Sequence, residues 1–238
     1  MRRQSPADSL TISRLRRWSV YFSGVVVIFT GLLILAALLV LAGWQWDIGI
    51  FKRSWLGLEV MNPVTAMTFL VSGLSLLVLT RRRTAHWDII GRALAVVVLS
   101  AGVLRLLSVW WPGFWRVDYL LYSDQILLDI RHHAATPRTM SPSTAITFVL
   151  SGAALMLLPV RRRSATTAAQ SIAVVVGLIG LFTLICYLYG VKELDIPTVT
   201  LPMALHSTVG FLLLSLGILF ARPGKGIMRQ VTGPYIGS

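Results

Sequence analysis

One nine-residue pattern heads three apolar runs of this chain. Met61-Asn62-Pro63-Val64-Thr65-Ala66-Met67-Thr68-Phe69 starts the first. Met140-Ser141-Pro142-Ser143-Thr144-Ala145-Ile146-Thr147-Phe148 starts the second. The third follows Met203 as Leu205-His206-Ser207-Thr208-Val209-Gly210-Phe211, with the same Met-to-Phe spacing. After each Phe comes a stretch too apolar for water, then a basic cluster or its remnant. A repeated apolar unit restricts the chain to a membrane bundle made from copies of one helical hairpin. Its function then lies in what the copies enclose.

Composition agrees with bilayer as the solvent. Of 238 residues, 55% are hydrophobic and only 13% charged, with a mean hydropathy of +0.75. A soluble domain is about a quarter charged. The single cysteine, Cys186, lies inside an apolar run. It forms no intramolecular disulfide, and the count excludes a metal–thiolate cluster.

A spanning helix needs about 20 mostly apolar residues. Six stretches qualify, near 21–43, 61–80, 89–111, 141–160, 168–189 and 203–221. The expected fold is an all-α, six-helix transmembrane bundle of three repeated hairpins. Residues 1–20 form a basic tail before it, 21–221 the membrane domain, and 222–238 a short tail after it. The basic segment and first apolar run read as a retained signal anchor, since the run is too long for a typical cleaved signal.

Charge sets the orientation. Fifteen of the 22 Lys and Arg, but only Asp8 and Asp88 among the acids, fall on the side holding both termini. The other side carries seven basic and seven acidic residues. The whole net charge of +13 is thus cytoplasmic by the positive-inside rule. It serves topology and contact with anionic lipid rather than nucleic acid. These features predict a multi-pass protein of the bacterial inner membrane with both termini cytoplasmic. Trp44, Trp46, Trp55, Trp110, Trp111, Trp115, Tyr119, Tyr122, Tyr187 and Tyr189 crowd the outer interface, more than an aromatic belt requires.

Asn62-Pro63 and Ser141-Pro142 read as helix starts. Asn and Ser accept from orphan backbone N–H groups, and proline is preset for the first helical position. Thr65, Thr68 and Ser72 share one helix face, and Thr144, Thr147 and Ser151 repeat it. Such a stripe either packs helices closely or lines a polar ligand cavity. The copies share one orientation, which does not indicate an inverted-repeat carrier.

Arg105 is the charge placed well inside an apolar run. Intramembrane ionisable groups are costly and point to function, although Arg105 is close enough to Trp110-Trp111 to snorkel outward. Its candidate partners are Asp118, Asp129, Glu193 and Asp195. His206 stands where the other copies have Val64 and Ser143. Its depth suits a haem or metal ligand, a quinone hydrogen bond or a proton switch near neutral pH, whereas a lone His is more often a capping or packing residue. His132 and His133 are weak metal candidates, because adjacent imidazoles usually point apart. Residues 113–139 form the longest connection, with interfacial-helix character that suits a surface helix or a lid. The candidate ligand set is therefore His206, Arg105, Thr65, Thr68, Thr144, Thr147 and Asp118. The chain has no Walker loop, dinucleotide fingerprint, nucleophile elbow or zincin motif, so no catalytic function is expected of it.

Met-x-Pro-x-Thr-Ala-x-x-Phe-x-Leu-x-Gly, read at 61–73 and 140–152, resembles the N-terminal membrane region of bacterial sensor histidine kinases, hybrid kinases and some diguanylate cyclases. Met203 through Thr208, Leu219 through Met228, and Asp118-Tyr119-Leu120-Leu121-Tyr122 are similar to it as well. The resemblance covers roughly residues 20–230. It implies a sensory input domain that passes an outer-side or intramembrane stimulus to a cytoplasmic kinase or cyclase module. The 17 residues of 222–238 hold no such module, so the chain is expected to be an input domain or a stand-alone relative with a separate partner. A homodimer is compatible with this role. Two other readings stay open: a quinone- or haem-binding redox protein, and a subunit of a larger membrane complex.

Overall fold

The computed structural model describes residues 6–52, 60–81, 84–111, 121–122, 126, 139–189 and 203–228, with side chains from Gly24 onward except at Lys52. Among them the chain is all helical, without strands. The helices are α1 (Pro6–Gln45), the short α2 (Gly49–Lys52), α3 (Pro63–Arg81), α4 (Ala85–Trp110), α5 (Pro142–Leu157), α6 (Arg163–Leu188) and α7 (Leu205–Phe220). Helix α1 starts at Pro6, so it runs through the basic segment that the sequence reading assigned to a tail.

Four helices are long and apolar enough to cross a membrane: Gly24–Gln45 of α1, α3, α4 and α6. Helices α5 and α7 are apolar but have 16 residues each, about 24 Å at 1.5 Å per residue. Their short length has a local cause. Pro159 follows α5 and Pro223-Gly224 follows α7, and proline does not continue a helix.

The helix starts fall where the motif places them. Pro63 and Pro142 occupy the first helical positions of α3 and α5. Asn62 Oδ1 accepts from the Val64 N–H at 2.8 Å, and Ser141 Oγ accepts from the Thr144 N–H at 3.3 Å. The third copy has neither device. Its N-cap is Ala204, with no side-chain cap.

Long helices sequential in the chain pack on one another, and α1 closes against α7. The motif helices α3, α5 and α7 also touch each other. Burial separates the two sets. In α3, 61% of the apolar window is buried, against 28%, 17% and 22% in α1, α4 and α6. The latter three turn large side chains outward, such as Leu35, Val97 and Leu178. A soluble protein would hide them; a bilayer solvates them.

At the centre the three motif phenylalanines meet. Phe69, Phe148 and Phe211 are buried. Their ring centroids are 4.7, 4.7 and 4.8 Å apart, and their planes cross at 60°, 60° and 61°. Three equivalent rings turned 120° about one axis have this geometry. The relation holds along the motif. Met61, Met140 and Met203 are buried, as are Leu76, Leu155 and Ile218, while Met67, Ile146 and Val209 are exposed.

Candidate functional site

The hydroxyl stripe is inside the protein. Thr65, Thr68, Thr144 and Thr147 are all buried. Thr68 Oγ1 donates to Val64 O at 2.7 Å and Thr147 Oγ1 to Ser143 O at 2.7 Å. Ser72 and Ser151 repeat the bond to Thr68 O and Thr147 O, each at 2.7 Å. A hydroxyl that bonds its own helix four residues back needs no outside partner. Small residues on neighbouring faces let the backbones approach. A Cβ on Gly102 would stand 2.7 Å from Ala145 O, and one on Gly180 3.4 Å from Thr208 O.

Arg105 has a defined task. Its Nε donates to the Met140 carbonyl at 2.6 Å, and its Nη1 to Ser108 Oγ at 2.9 Å. The same carbonyl is bonded in the other copies. Trp44 Nε1 donates to Met61 O at 2.9 Å, and Tyr187 Oη donates to Met203 O. Each repeat therefore holds its motif methionine by a side chain from the helix before it. Tyr187 stands seven residues beyond Gly180, whereas Arg105 stands three beyond Gly102. The arginine sits one turn deeper, and its longer side chain reaches the same target. In the sequence these three side chains looked like an interfacial belt and a lone charge. Only the helix register reveals their shared acceptor.

Tyr187→Phe removes the third donor while keeping the ring. We expect a loss of about 1 kcal/mol in unfolding free energy, since interhelical bonds in membranes average about 0.6 and reach about 1.7 kcal/mol. Titration of the detergent-solubilised protein with SDS measures it. An unchanged midpoint would mean that the Met203 carbonyl finds another donor.

Gln170 escaped the sequence reading. Its Nε2 donates to Leu219 O and Arg222 O, each at 3.3 Å, and its Oε1 accepts from the Ile227 N–H at 2.7 Å. It thereby fixes the turn that leaves α7. Gly226, at φ +60°, passes so close that a Cβ there would meet the Gln170 amide. The one signal available was a carboxamide within an otherwise apolar or hydroxyl-bearing helix.

The candidate site lies where the first and third copies meet. A cavity of about 180 Å³ opens between α1, α3 and α7. Leu33, Ala37 and Val40 line it from α1, Phe69 from α3, and Met61 from the segment just before α3. Helix α7 supplies Leu205, His206, Val209 and Gly210. Ala36 and Val209 are exposed on its rim, so it opens sideways between α1 and α7. The repeat departs from its pattern here. Gly210 stands where the other copies have Thr68 and Thr147, and Phe69 packs within 2.9 Å of where its Cβ would be.

His206 is the polar side chain of that cavity. Its Nδ1 is buried and has no hydrogen-bond partner. The other buried, unpartnered side-chain atom among the described residues is Thr30 Oγ1. It lies on the same seam, 3.8 Å from where a Gly217 Cβ would stand. An unpaired buried polar group is costly in lipid, so the α1–α7 seam is the least satisfied interface of the described protein.

Of the sequence candidates, the structure places His206 in the cavity. Arg105 and the four threonines are not among the residues that line it. Asp118, His132 and His133 lie outside the described residues. Among the described residues no group of three or more His, Cys, Asp or Glu is placed to hold a metal ion. No family model, curated protein or solved structure matches this chain.

Proposed function

We propose that this chain is a membrane-embedded sensory input domain of bacterial signal transduction. Six spans, paired as three hairpins around the phenylalanine triangle, lie in the inner membrane with both termini in the cytoplasm. A stimulus on the outer side or within the bilayer alters the α1–α7 seam. Helix α7 carries that change to a cytoplasmic kinase or cyclase module. Resemblance to the membrane regions of sensor kinases and cyclases supports this reading, as does the concentration of positive charge beside the termini.

The observation that carries it is the seam. A sensor needs an element with two arrangements whose balance a stimulus biases. The seam combines a cavity, two unpartnered polar atoms and a helix start without a cap. Phe69 belongs both to the cavity wall and to the central triangle. Pressure on the cavity therefore reaches the packing of all three motif helices.

Spin labels at Ile28 and Lys225, both exposed, in a Cys186→Ser background test the reading in lipid nanodiscs. The expected result is a distance distribution that changes with occupancy of the seam or with bilayer thickness. One narrow distribution under every condition would contradict signalling through α7.

A second reading, a quinone-binding membrane protein, is favoured by the same nitrogen and cavity. A haem is not: about 180 Å³ is little more than the roughly 150 Å³ that accommodates one benzene, too small for a porphyrin. An absorption spectrum and mass spectrometry of an organic extract separate the readings. A stoichiometric quinone would favour the redox role, and bulk lipid alone would favour the sensor.

A further inference from the structure

We infer that the seam cavity is a binding site for a neutral lipophilic molecule with a small ring system and a hydrogen-bonding group, which enters from the bilayer and pairs with the His206 imidazole. The inference rests on the sensory reading only in treating the bound molecule as the stimulus.

Size sets the first limit. The cavity measures about 180 Å³. A dry, apolar cavity of about 150 Å³ in another protein accommodates benzene. The present one therefore holds one six-membered ring and a few further atoms. A sterol or a porphyrin is too large.

Chemistry sets the second. Nine of the ten lining residues are apolar or glycine. A buried water needs two to four polar partners, and the wall offers one imidazole. Several waters would fill the volume and find almost nothing to bond. An apolar body suits the space better, and Phe69 offers a ring edge or face for stacking. The imidazole then selects a ring that carries a polar group able to pair with it. A neutral imidazole has one donor and one acceptor nitrogen, so a phenol hydroxyl, an indole N–H or a quinone carbonyl each supplies a complement.

Access sets the third. The rim residues Ala36 and Val209 are exposed on the outer surface of α1 and α7. In a bilayer that surface faces lipid. A ligand that partitions into the membrane reaches the cavity sideways, and a tail attached to its ring can remain among the acyl chains.

The shared chemistry is a small ring with a polar group that can pair with imidazole, and the two sources are a free small aromatic and the head of a lipid quinone. Indole and decylubiquinone serve as probes for them, and toluene is the apolar control. Binding is measured by equilibrium dialysis on the full chain in phosphatidylcholine nanodiscs. We expect saturable one-to-one binding of one of the two polar probes; the tighter one identifies the source. His206→Phe should weaken that probe about tenfold and leave toluene unchanged. Ala36→Leu, a substitution at an exposed position, should abolish binding of all three while the protein stays monodisperse. Partitioning of both polar probes into protein-containing discs no greater than into empty discs would overturn the inference. Binding that survives Ala36→Leu, or equal weakening of indole and toluene by His206→Phe, would overturn it as well. Spin-label distances from the same samples keep the two claims apart. Saturable binding with no movement at Lys225 would sink the sensory reading and leave the site standing. Movement driven by bilayer thickness, without probe binding, would do the reverse.

Discussion

Phe148→Ala should be the most damaging single truncation in this protein, lowering its unfolding free energy by about 3–5 kcal/mol. The reasoning differs from that for a soluble core. In lipid, little is gained by moving apolar surface from one hydrocarbon environment to another, so the transfer part of a core truncation largely disappears. The cavity part remains. Removing a phenyl group empties roughly 100 Å³, and unrelaxed cavities cost about 24 cal/mol per Å³. Phe148 also makes two of the three ring contacts at the centre, at 4.7 and 4.8 Å, and such pairs contribute about 0.5–1.5 kcal/mol each beyond area. The neighbouring Ile146 is exposed, so Ile146→Ala should change stability by less than about 0.5 kcal/mol. SDS unfolding of both variants in the same detergent gives the comparison. Equal losses would mean that the phenylalanine triangle is not the centre of packing.

Gly152→Ala should destabilise the protein by about 1–3 kcal/mol, the range for overpacking, whereas Gly73→Ala at the corresponding repeat position should cost well under half as much. The two glycines face different neighbours. A Cβ at Gly152 would lie 2.8 Å from Leu99 N and Cβ and 2.9 Å from its Cα. Backbone cannot rotate away, so α4 and α5 must separate. A Cβ at Gly73 would lie 2.7 Å from Ile34 Cγ1, a side-chain atom that can change rotamer. Each alanine also gains helix propensity, up to about 1 kcal/mol, which offsets much of the smaller clash at Gly73. Thermal unfolding in mild detergent ranks the pair. The opposite ranking would place the closest backbone approach between α1 and α3.

The sequence disclosed the repeat because repeats are local. Met-to-Phe spacing, the prolines at the helix starts and the apolar runs can all be read along one strand of text. The central position of the motif helices followed from their small and hydroxyl residues. Side-chain pairing could not be read so easily. Trp44, Arg105 and Tyr187 belong to different residue types and stand at different offsets, yet each bonds the carbonyl of a motif methionine. Nothing in their identity announces a common acceptor. His206 was noticed as a departure from the repeat, but the space beside it needed Gly210 and Val40 as well, on two helices distant in sequence. Gln170 was overlooked because its partners, Leu219, Arg222 and Ile227, lie about 50 residues away. The boundary of α1 went the other way. Basic residues suggested a tail before the first span, but charge does not end a helix, and α1 runs on to Pro6.

Closure of the first copy on the third is what creates the seam, the cavity and the proposed route to the cytoplasm. Cysteine pairs in native membranes, in a Cys186→Ser background, test it directly. Gly177→Cys with Ser215→Cys provides the reference, since a Cβ at 177 lies 3.5 Å from the Ser215 Cβ, within disulfide range. Thr30→Cys with Gly217→Cys spans the seam, where a Cβ at 217 lies 3.8 Å from Thr30 Oγ1. We expect both pairs to cross-link within a single chain under mild oxidation. A seam pair that stays reduced, or links only two chains, while the reference pair closes would show that α1 does not pack on α7 and would remove the site with it.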